Sequence, residues 1–566
     1  MGRFGIRRWR ALVAPLAVAA LVGGSVAACS SDTPSTGAGA PASFTAQAVI
    51  NPHPLSDLKQ GGNMNWPISQ WIANWNYNQI QGTSVDMSQM AEALLPRTFT
   101  AAPDGTLSLD TDYFTSITEQ MQDGKQVVTY DINPKATWST GRPIDWTDLA
   151  AQWKALNGSN TAYQNSSTTG YEDIASVTRG ASDKQAIVTY ARPFGDWKGE
   201  FSGLEAREVN ATPDSFNTGY VSKPVPTAGP FRIRTVDAGA KRVVVERNPG
   251  WWGARPVLDT ITYLALDSSA TIGALQNGEI DFTDLGSSID AFKVARGLKN
   301  VDIRQSAGFQ WRHFDFNGAP GRITADPAVR IAIMRAINRD LIARALLGPI
   351  TSDPTVLNNH IYVAGEKGYQ ANNGGITFDP DAARKQLDAD GWKLDGQFRK
   401  KNGKQLDVHV TIPSDTDNAA QESQLIQQNL KDVGINLIID TVPSDDFLPK
   451  YINLGNFDTT IFTWEGTLFP ASSSLSIYQK IPGQTMQNYG QIGSAQINAL
   501  ATQVEAELDP AKQIELANRL DALVWQEGHS LPLYQRPYSY ATKKNLVNFG
   551  ATGFGDIDVT KIGWLK

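Results

Sequence analysis

The side chains best suited to chemistry in these 566 residues are five histidines, His53, His313, His360, His409 and His529, and a single cysteine, Cys29. Histidine acts as a general base or metal ligand only when a second group stands beside it. No two of these histidines lie within a few residues of each other, and the zinc pattern H-E-x-x-H does not occur. The nucleophile elbow G-x-S-x-G and the phosphate loop G-x-x-x-x-G-K-[ST] are missing as well. Acid pairs such as Asp445-Asp446 read as turn or helix-start residues, because adjacency in sequence does not place two carboxyls across a glycosidic bond. The histidines therefore read as ordinary surface or core side chains, no cofactor is implied, and an enzyme such as a glycan hydrolase is a minor reading. Bare nickel, which wants several nitrogen, sulfur or oxygen ligands, is poorly served; a chelated metal or haem held by its organic shell stays open.

Aromatic and amide side chains are what the chain has in quantity. The stretch "GGNMNWPISQWIANWNYNQIQG", residues 61–82, holds Trp66, Trp71 and Trp75 among many Asn and Gln, with almost no aliphatic periodicity. Amides donate and accept without charge, and flat rings supply apolar area at low entropy cost. The mixture suits a cleft for a polar ligand; the alternative is that the three tryptophans are packing residues of a loop-rich N-terminal lobe.

Residues 1–28 carry Arg3, Arg7, Arg8 and Arg10, then "ALVAPLAVAALVGGSVAA", which is apolar, short for a membrane span and closed by small residues. This is the grammar of a secretory signal. Val26, Ala27, Ala28 and Cys29 resemble the lipobox of bacterial lipoproteins, which implies that Cys29 is a lipid attachment point. Residues 29–46, rich in Ser, Thr, Gly, Ala and Pro, read as a flexible tether. The remainder has no cysteine and no second long apolar run, so its core rests on burial alone and the body is expected to be soluble. Its charge of −7, or −11 without the four arginines of residues 1–28, argues against nucleic acid as a partner.

The elements that must position any site follow from periodicity. Over 127–284 strands dominate: "QVVTYDI" and "QAIVTYA" alternate, "FRIRTV" and "RVVVER" flank a Gly-containing turn, and "ITYLAL", a helix ending at Gly278 and "IDFTD" read as a β-α-β passage. Downstream, Asp326-Pro327, Asp379-Pro380 and Asp509-Pro510 each set a capping carboxylate before a proline at the first helical position. Val329, Ile333, Ile337 and Leu341 predict one helical face stopping near Gly348; Ile514, Ala517, Leu520 and Val524 predict another ending at Gly528. "AAQESQLIQQNLKDVGINLIID" reads as helix, glycine stop, then a buried parallel strand.

Several of these blocks together resemble the family 5 solute-binding proteins of ABC importers, the dipeptide, oligopeptide and nickel-binding group. They are "TAGPFRIRTVDAGAKRVVVERNPGWWG", "ALQNGEID", "FDFNGAPGRITADPAVRIAIMRAINRDLIARALLG", "FDPDAARKQLDADGW" and "LDPAKQIELANRLDALVWQEGHSLPLYQRPY", in family order from about residue 61 onward. The resemblance implies an α/β, two-lobed periplasmic-binding-protein-like fold of the large peptide-binding type (class II), with a hinge and an interlobe cleft. Lobe I would span 47–311 with an inserted subdomain, lobe II 312–533, and 534–566 would return to lobe I, with crossings near 311–317 and 531–534.

By the same resemblance, Ser69, Gln70 and Trp71 present backbone to a ligand, and "FDTTIFTWEGTLFPASSS" supplies Trp464, Glu465, Gly466 and Thr467 from the other lobe. Tyr489 in "QNYG" and Tyr534 complete the expected ligand set. In peptide binders of the family an aspartate three residues after the tryptophan holds the ligand's ammonium; here that place is Thr467, and Glu465 is the nearest acid to replace it. The implied protein is a monomeric, lipid-anchored receptor on the outer face of the cytoplasmic membrane, in the periplasm or cell-envelope space. It captures peptides or peptide-like polar solutes for membrane permease subunits. The competing reading keeps the fold for a non-transport role, as a scaffold or regulator of cell-envelope assembly.

Overall fold

The computed structural model describes residues 46–566 except 353, 415 and 483–485. The expected signal segment, Cys29 and the tether up to residue 45 lie outside the described residues.

The first sheet orders its strands Asn63–Ile68, Thr260–Ala265, Arg242–Arg247, Phe231–Asp237, with the first pair parallel and the rest antiparallel. Its opening strand corrects the reading of residues 61–82. Met64, Trp66 and Ile68 alternate inward, so the period of two is present once tryptophan is counted as apolar. Trp66 packs on Tyr263, Phe282 and Phe549 with ring centroids 5.0–5.8 Å apart, and Trp75 is buried too, so packing and not ligand contact explains both. The amides that follow are structural as well. Asn74 and Asn76 donate side-chain N–H groups to the carbonyls of Asn217 and Phe216, and their Oδ1 atoms accept from the N–H groups of Asn76 and Asn78. A buried loop satisfies its backbone this way where no sheet is available.

A second, antiparallel sheet orders Phe114–Gln122, Lys125–Ile132, Gln185–Tyr190 and Ile174–Arg179, as the alternating segments predict. The third sheet has six strands in the order Phe282–Asp284, Ser530–Lys543, Val301–Phe316, Thr459–Glu465, Asp407–Pro413, Asn436–Val442. Here "IDFTD" pairs with Ser530–Lys543 and not beside "ITYLAL", so the helix Ser268–Asn277 passes between sheets instead of closing a β-α-β unit. Asn436–Val442 is parallel to Asp407–Pro413 as expected, but it is the edge strand, with Ile438 and Ile439 only half-buried.

The aspartate caps are in place: Asp326, Asp379 and Asp509 accept from the N–H groups of Ala328, Ala382 and Ala511. The helical face from Val329, in contrast, is broken. Pro327–Ala336 ends, and Asn338 caps a new helix, Arg339–Leu347, by accepting from the Leu341 N–H. The turn re-phases the stripe and leaves Leu341 42% exposed.

Packing divides the described chain into two main cores. One draws on residues 64–263 with Phe282 and 546–562; the other runs from Ala274 to Ala541. The change of core therefore comes shortly after Tyr263 and again after Ala541, whereas the boundaries expected at 311/312 and 533/534 fall inside one long ladder, beside its register shift between Arg312 and His313. That ladder pairs Val301 with Lys543 at one end and Asp315 with Ser530 at the other. Cutting a domain there would leave both strands as open edges.

Beside this ladder lies a buried ion pair. Arg312 forks onto both carboxylate oxygens of Glu422 from the helix Asp417–Asp432, and the Tyr534 hydroxyl donates to the same carboxylate. Tyr534, expected to touch ligand, is fully buried with its hydroxyl engaged there. Glu422→Ala, which strands the guanidinium, is expected to destabilise the protein by about 3–5 kcal/mol, whereas an Arg312→Met/Glu422→Leu double variant costs less. Urea unfolding midpoints of the three proteins check this.

Candidate ligand cleft

The strand Thr459–Glu465 delivers Trp464 and Glu465 to its exposed end. Trp464 lies flat between His313, at 5.5 Å and 10°, and Tyr489, at 6.1 Å and 9°, so the sequence-predicted Trp464 and Tyr489 do meet. Glu465 accepts a 2.6 Å hydrogen bond from the Tyr538 hydroxyl. Desolvation raises its pKa, opposed by hydrogen bonds from Tyr538 and Gln310 and by the Arg536 charge, while Asp284 adds to the rise. The Gly466 N–H donates to the Phe309 carbonyl, and a Cβ there would meet that oxygen and the Trp311 ring, both at 3.2 Å. Thr467 turns its hydroxyl to Ser473 Oγ and accepts from the Phe469 N–H, so it organises its own loop.

On the other side, Ser69 gives both its N–H and its hydroxyl to Asp86 in the helix Val85–Leu94. Gln70 is exposed and Trp71 half-buried against the first core. No described hydrogen bond or ring contact joins Ser69, Gln70 or Trp71 to the Trp464 loop. The link is indirect, through Tyr540, which bonds Gln89 of that helix and feels the charges of Asp284 and Glu465.

A cavity of about 170 Å³ lies beside the Trp464 loop, walled by Phe309, Tyr362, Phe469 and Phe554, with Asp196 and Glu366 among its polar groups. Residues 468–471 of the predicted loop line it, but none of the individually predicted site residues does. Next to it the segment after Phe194 of the first core is latched to a smaller cluster that includes Ala471 and Val504: the Ser472 N–H donates to Asp196 Oδ2, and the Gly195 N–H to the Glu505 carbonyl. Burial pushes Glu366 up to about 8 and Glu505 to about 7, and raises Asp196. Sequence reasoning missed Asp196, Phe309, Glu366 and Phe554 because none belongs to a motif; only the Leu-Phe-Pro run after Thr467 signalled the place.

The histidines behave as packing and hydrogen-bonding residues, but three are not scattered. His313 bonds Asp315, His360 bonds Asp521 and the Ser530 carbonyl, and His529 packs edge-on to Tyr478 next to them. Among the described residues no group of three or more His, Cys, Asp or Glu is arranged to hold a metal ion.

Residues 109–484 match the family described as bacterial extracellular solute-binding proteins, family 5. The oligopeptide-binding protein OppA of Mycobacterium tuberculosis (strain ATCC 25618 / H37Rv) is 43% identical over 564 residues, 99% of this chain and 94% of the relative. The chain belongs to the family 5 extracellular solute-binding proteins. An uncharacterised lipoprotein of the same organism is 23% identical over 86% of this chain and 90% of its own. Among solved structures, a periplasmic EDTA-binding protein, EppA, superimposes with TM-score 0.84 at 23% identity, covering 92% of this chain and 98% of that one. The nonapeptide complex of oligopeptide-binding AppA from Bacillus subtilis gives 0.75 at 18%, covering 90% and 100%. The family fold is the two-lobed α/β binding fold expected from the sequence, and this family 5 protein is the substrate-binding component of an ABC importer. The relatives do not favour the scaffold alternative.

Acidic groups buried in this solute-binding protein set its pH response. Burial raises Glu92, Glu205 and Glu366 to about 8, so the folded state holds protons that the unfolded chain releases near 4.5. Their contribution is complete below about 4.5 and is lost as pH rises through 8. His529, lowered to about 3 by burial, works the other way: its contribution is present above about 6.5 and is lost as pH falls towards 3. Thermal midpoints are expected to rise as pH falls from 8 to a maximum near 4, because the three acids outweigh the one histidine until the unfolded acids are themselves protonated, and then to fall. Each proton is worth about 1.4 kcal/mol per pH unit. Glu205→Gln flattens the alkaline limb and His529→Gln the acid limb, as scanning calorimetry across pH would record.

Proposed function

We propose that this protein is a lipid-anchored receptor that captures peptides or peptide-like polar solutes between its lobes and hands them to membrane permease subunits, with no catalytic step of its own. The observation that carries the reading is the near full-length likeness to an oligopeptide-binding protein. The lobes follow the two cores, with the hinge in the paired strands Val301–Phe316 and Ser530–Lys543, whose register shifts between Ser306 and Gln310 and again between Arg312 and His313. A ladder interrupted there bends more easily than a continuous one.

In this reading Ser69, Gln70, Trp71, Trp464, Glu465, Gly466, Thr467 and Tyr489 border the ligand. Trp464 and Tyr489, stacked on each other, offer the ligand apolar ring surface. Closure joins Ser472 to Asp196 and Gly195 to Glu505; opening breaks both. Acylation of Cys29 and the tether of residues 29–46 hold the monomeric body at the outer face of the cytoplasmic membrane, which raises its effective concentration at the permease. Neither a cofactor nor nucleic acid enters this scheme.

Native mass spectrometry of residues 46–566, purified without denaturation, is expected to show a ladder of short peptides released on activation. A glycan, a lipid headgroup or an empty protein that stays empty in a peptide mixture would overturn the assignment of peptides.

A further inference from the structure

The peptide reading leaves one chemical requirement unmet. A free peptide brings an ammonium group, and removing that charge from water is costly unless a carboxylate receives it. The family position for that carboxylate is Thr467, whose hydroxyl serves Ser473 and Phe469. Glu465 is partly neutralised where it stands, bonded by Tyr538 and facing Arg536.

Two other carboxyls border the cavity next to this loop. Glu366 Oε2 accepts from the Val363 N–H at 2.7 Å; no described hydrogen bond reaches its other oxygen, and among the described residues no lysine or arginine is paired with it. Asp196 enters from the opposite lobe, held through Oδ2 by the Ser472 N–H. Four aromatic side chains complete the wall, with Phe309 and Phe554 at 4.7 Å between centroids. Rings and carboxylates around one small space form the usual environment for an organic cation.

We propose that Glu366 and Asp196 form the receptor for the ligand's cationic group, one carboxylate from each lobe, inside the aromatic cavity beside the Trp464 loop. This rests on the peptide reading of the preceding section and assigns the charge that Thr467 lacks. Asp104 and Lys367 also line the cavity, and Glu505 and Glu200 lie close enough to Asp196 to feel its charge. Three lining carboxyls against one lysine leave a net negative site. Ligand binding then ionises Glu366, which burial alone keeps protonated up to about pH 8, and one proton leaves for solvent as the cation enters.

The test is isothermal titration calorimetry at pH 7 in two buffers of different ionisation enthalpy. The probes are pentaalanine, its N-acetyl form and an N-acetyl pentapeptide with a central lysine. Wild type is expected to bind pentaalanine with proton release. Glu366→Gln should weaken that binding about tenfold to a hundredfold and abolish the release, with Asp196→Asn as the second variant because its Oδ1 can still cap Ser472. The N-acetyl form should bind weakly to all three proteins. If the lysine peptide also depends on Glu366, the cation held is a side chain; if only pentaalanine does, it is the terminus; both support the site. Pentaalanine binding that is unchanged in both variants, with the same proton count, overturns the site and leaves the peptide receptor intact. A wild type that binds no peptide overturns both.

Discussion

The antiparallel ladder between Val301–Phe316 and Ser530–Lys543 is the constraint on which the rest depends. It is the longest strand pairing among the described residues and the axis of the six-stranded sheet, with Thr459–Glu465 attached on one side and Phe282–Asp284 on the other. Because side chains on paired strands share a face, register alone sets the row Arg312–Tyr534, Gln310–Arg536 and Glu465. At its inner end the row is a sealed ion pair; at its outer end it is the polar edge of the cleft. The same backbone thus anchors the second core and aims the Trp464 loop. Register shifts flank the row on both sides, between Ser306 and Gln310 and between Arg312 and His313.

Local signals were legible in the sequence and long-range ones were not. Hairpins, alternating strands and aspartate caps depend on neighbours within a few residues, and "FRIRTV", "RVVVER", Asp326, Asp379 and Asp509 stand as expected. Asn338 shows the limit of pattern counting, since one capping side chain ended a stripe that spacing alone would continue. Residues 61–82 show another: Trp66 is an ordinary inward strand residue, and polar Asn63 and Asn65 serve the neighbouring strand and each other. The two packing cores do not coincide with the lobe boundaries expected from family likeness, because strand pairing joins segments hundreds of residues apart. Family likeness supplied the fold and the loop around Trp464. It did not supply Asp196 or Glu366, which line one cavity from segments far apart in sequence.

A requirement for negative charge does not specify which loop must meet it. What fixes the energetics is a carboxylate in a water-poor space within reach of the cation, and any element bordering that space can contribute it. In this chain the residue after the tryptophan loop is free to be threonine because Glu366 and Asp196 stand across the cavity. Neutral Thr467 then does a different job, shaping the turn that sets Phe469 against the same cavity.

Placing the two carboxyls on different lobes also ties recognition to closure. In this arrangement burial raises Glu366 to about 8 and lifts Asp196 above its ordinary value, with no cationic side chain offsetting either. In an open form each carboxyl returns to water and the desolvation cost disappears. A cationic ligand removes the penalty selectively from the closed state, and a ligand shifts an equilibrium only by such a difference in affinity. Apolar contacts with Phe309 and Phe554 cannot make the distinction alone, because those rings already pack on each other in the closed form. Charge held across the cleft therefore discourages an empty receptor from presenting the closed shape to a permease, and the aromatic walls strengthen whatever the charge has selected.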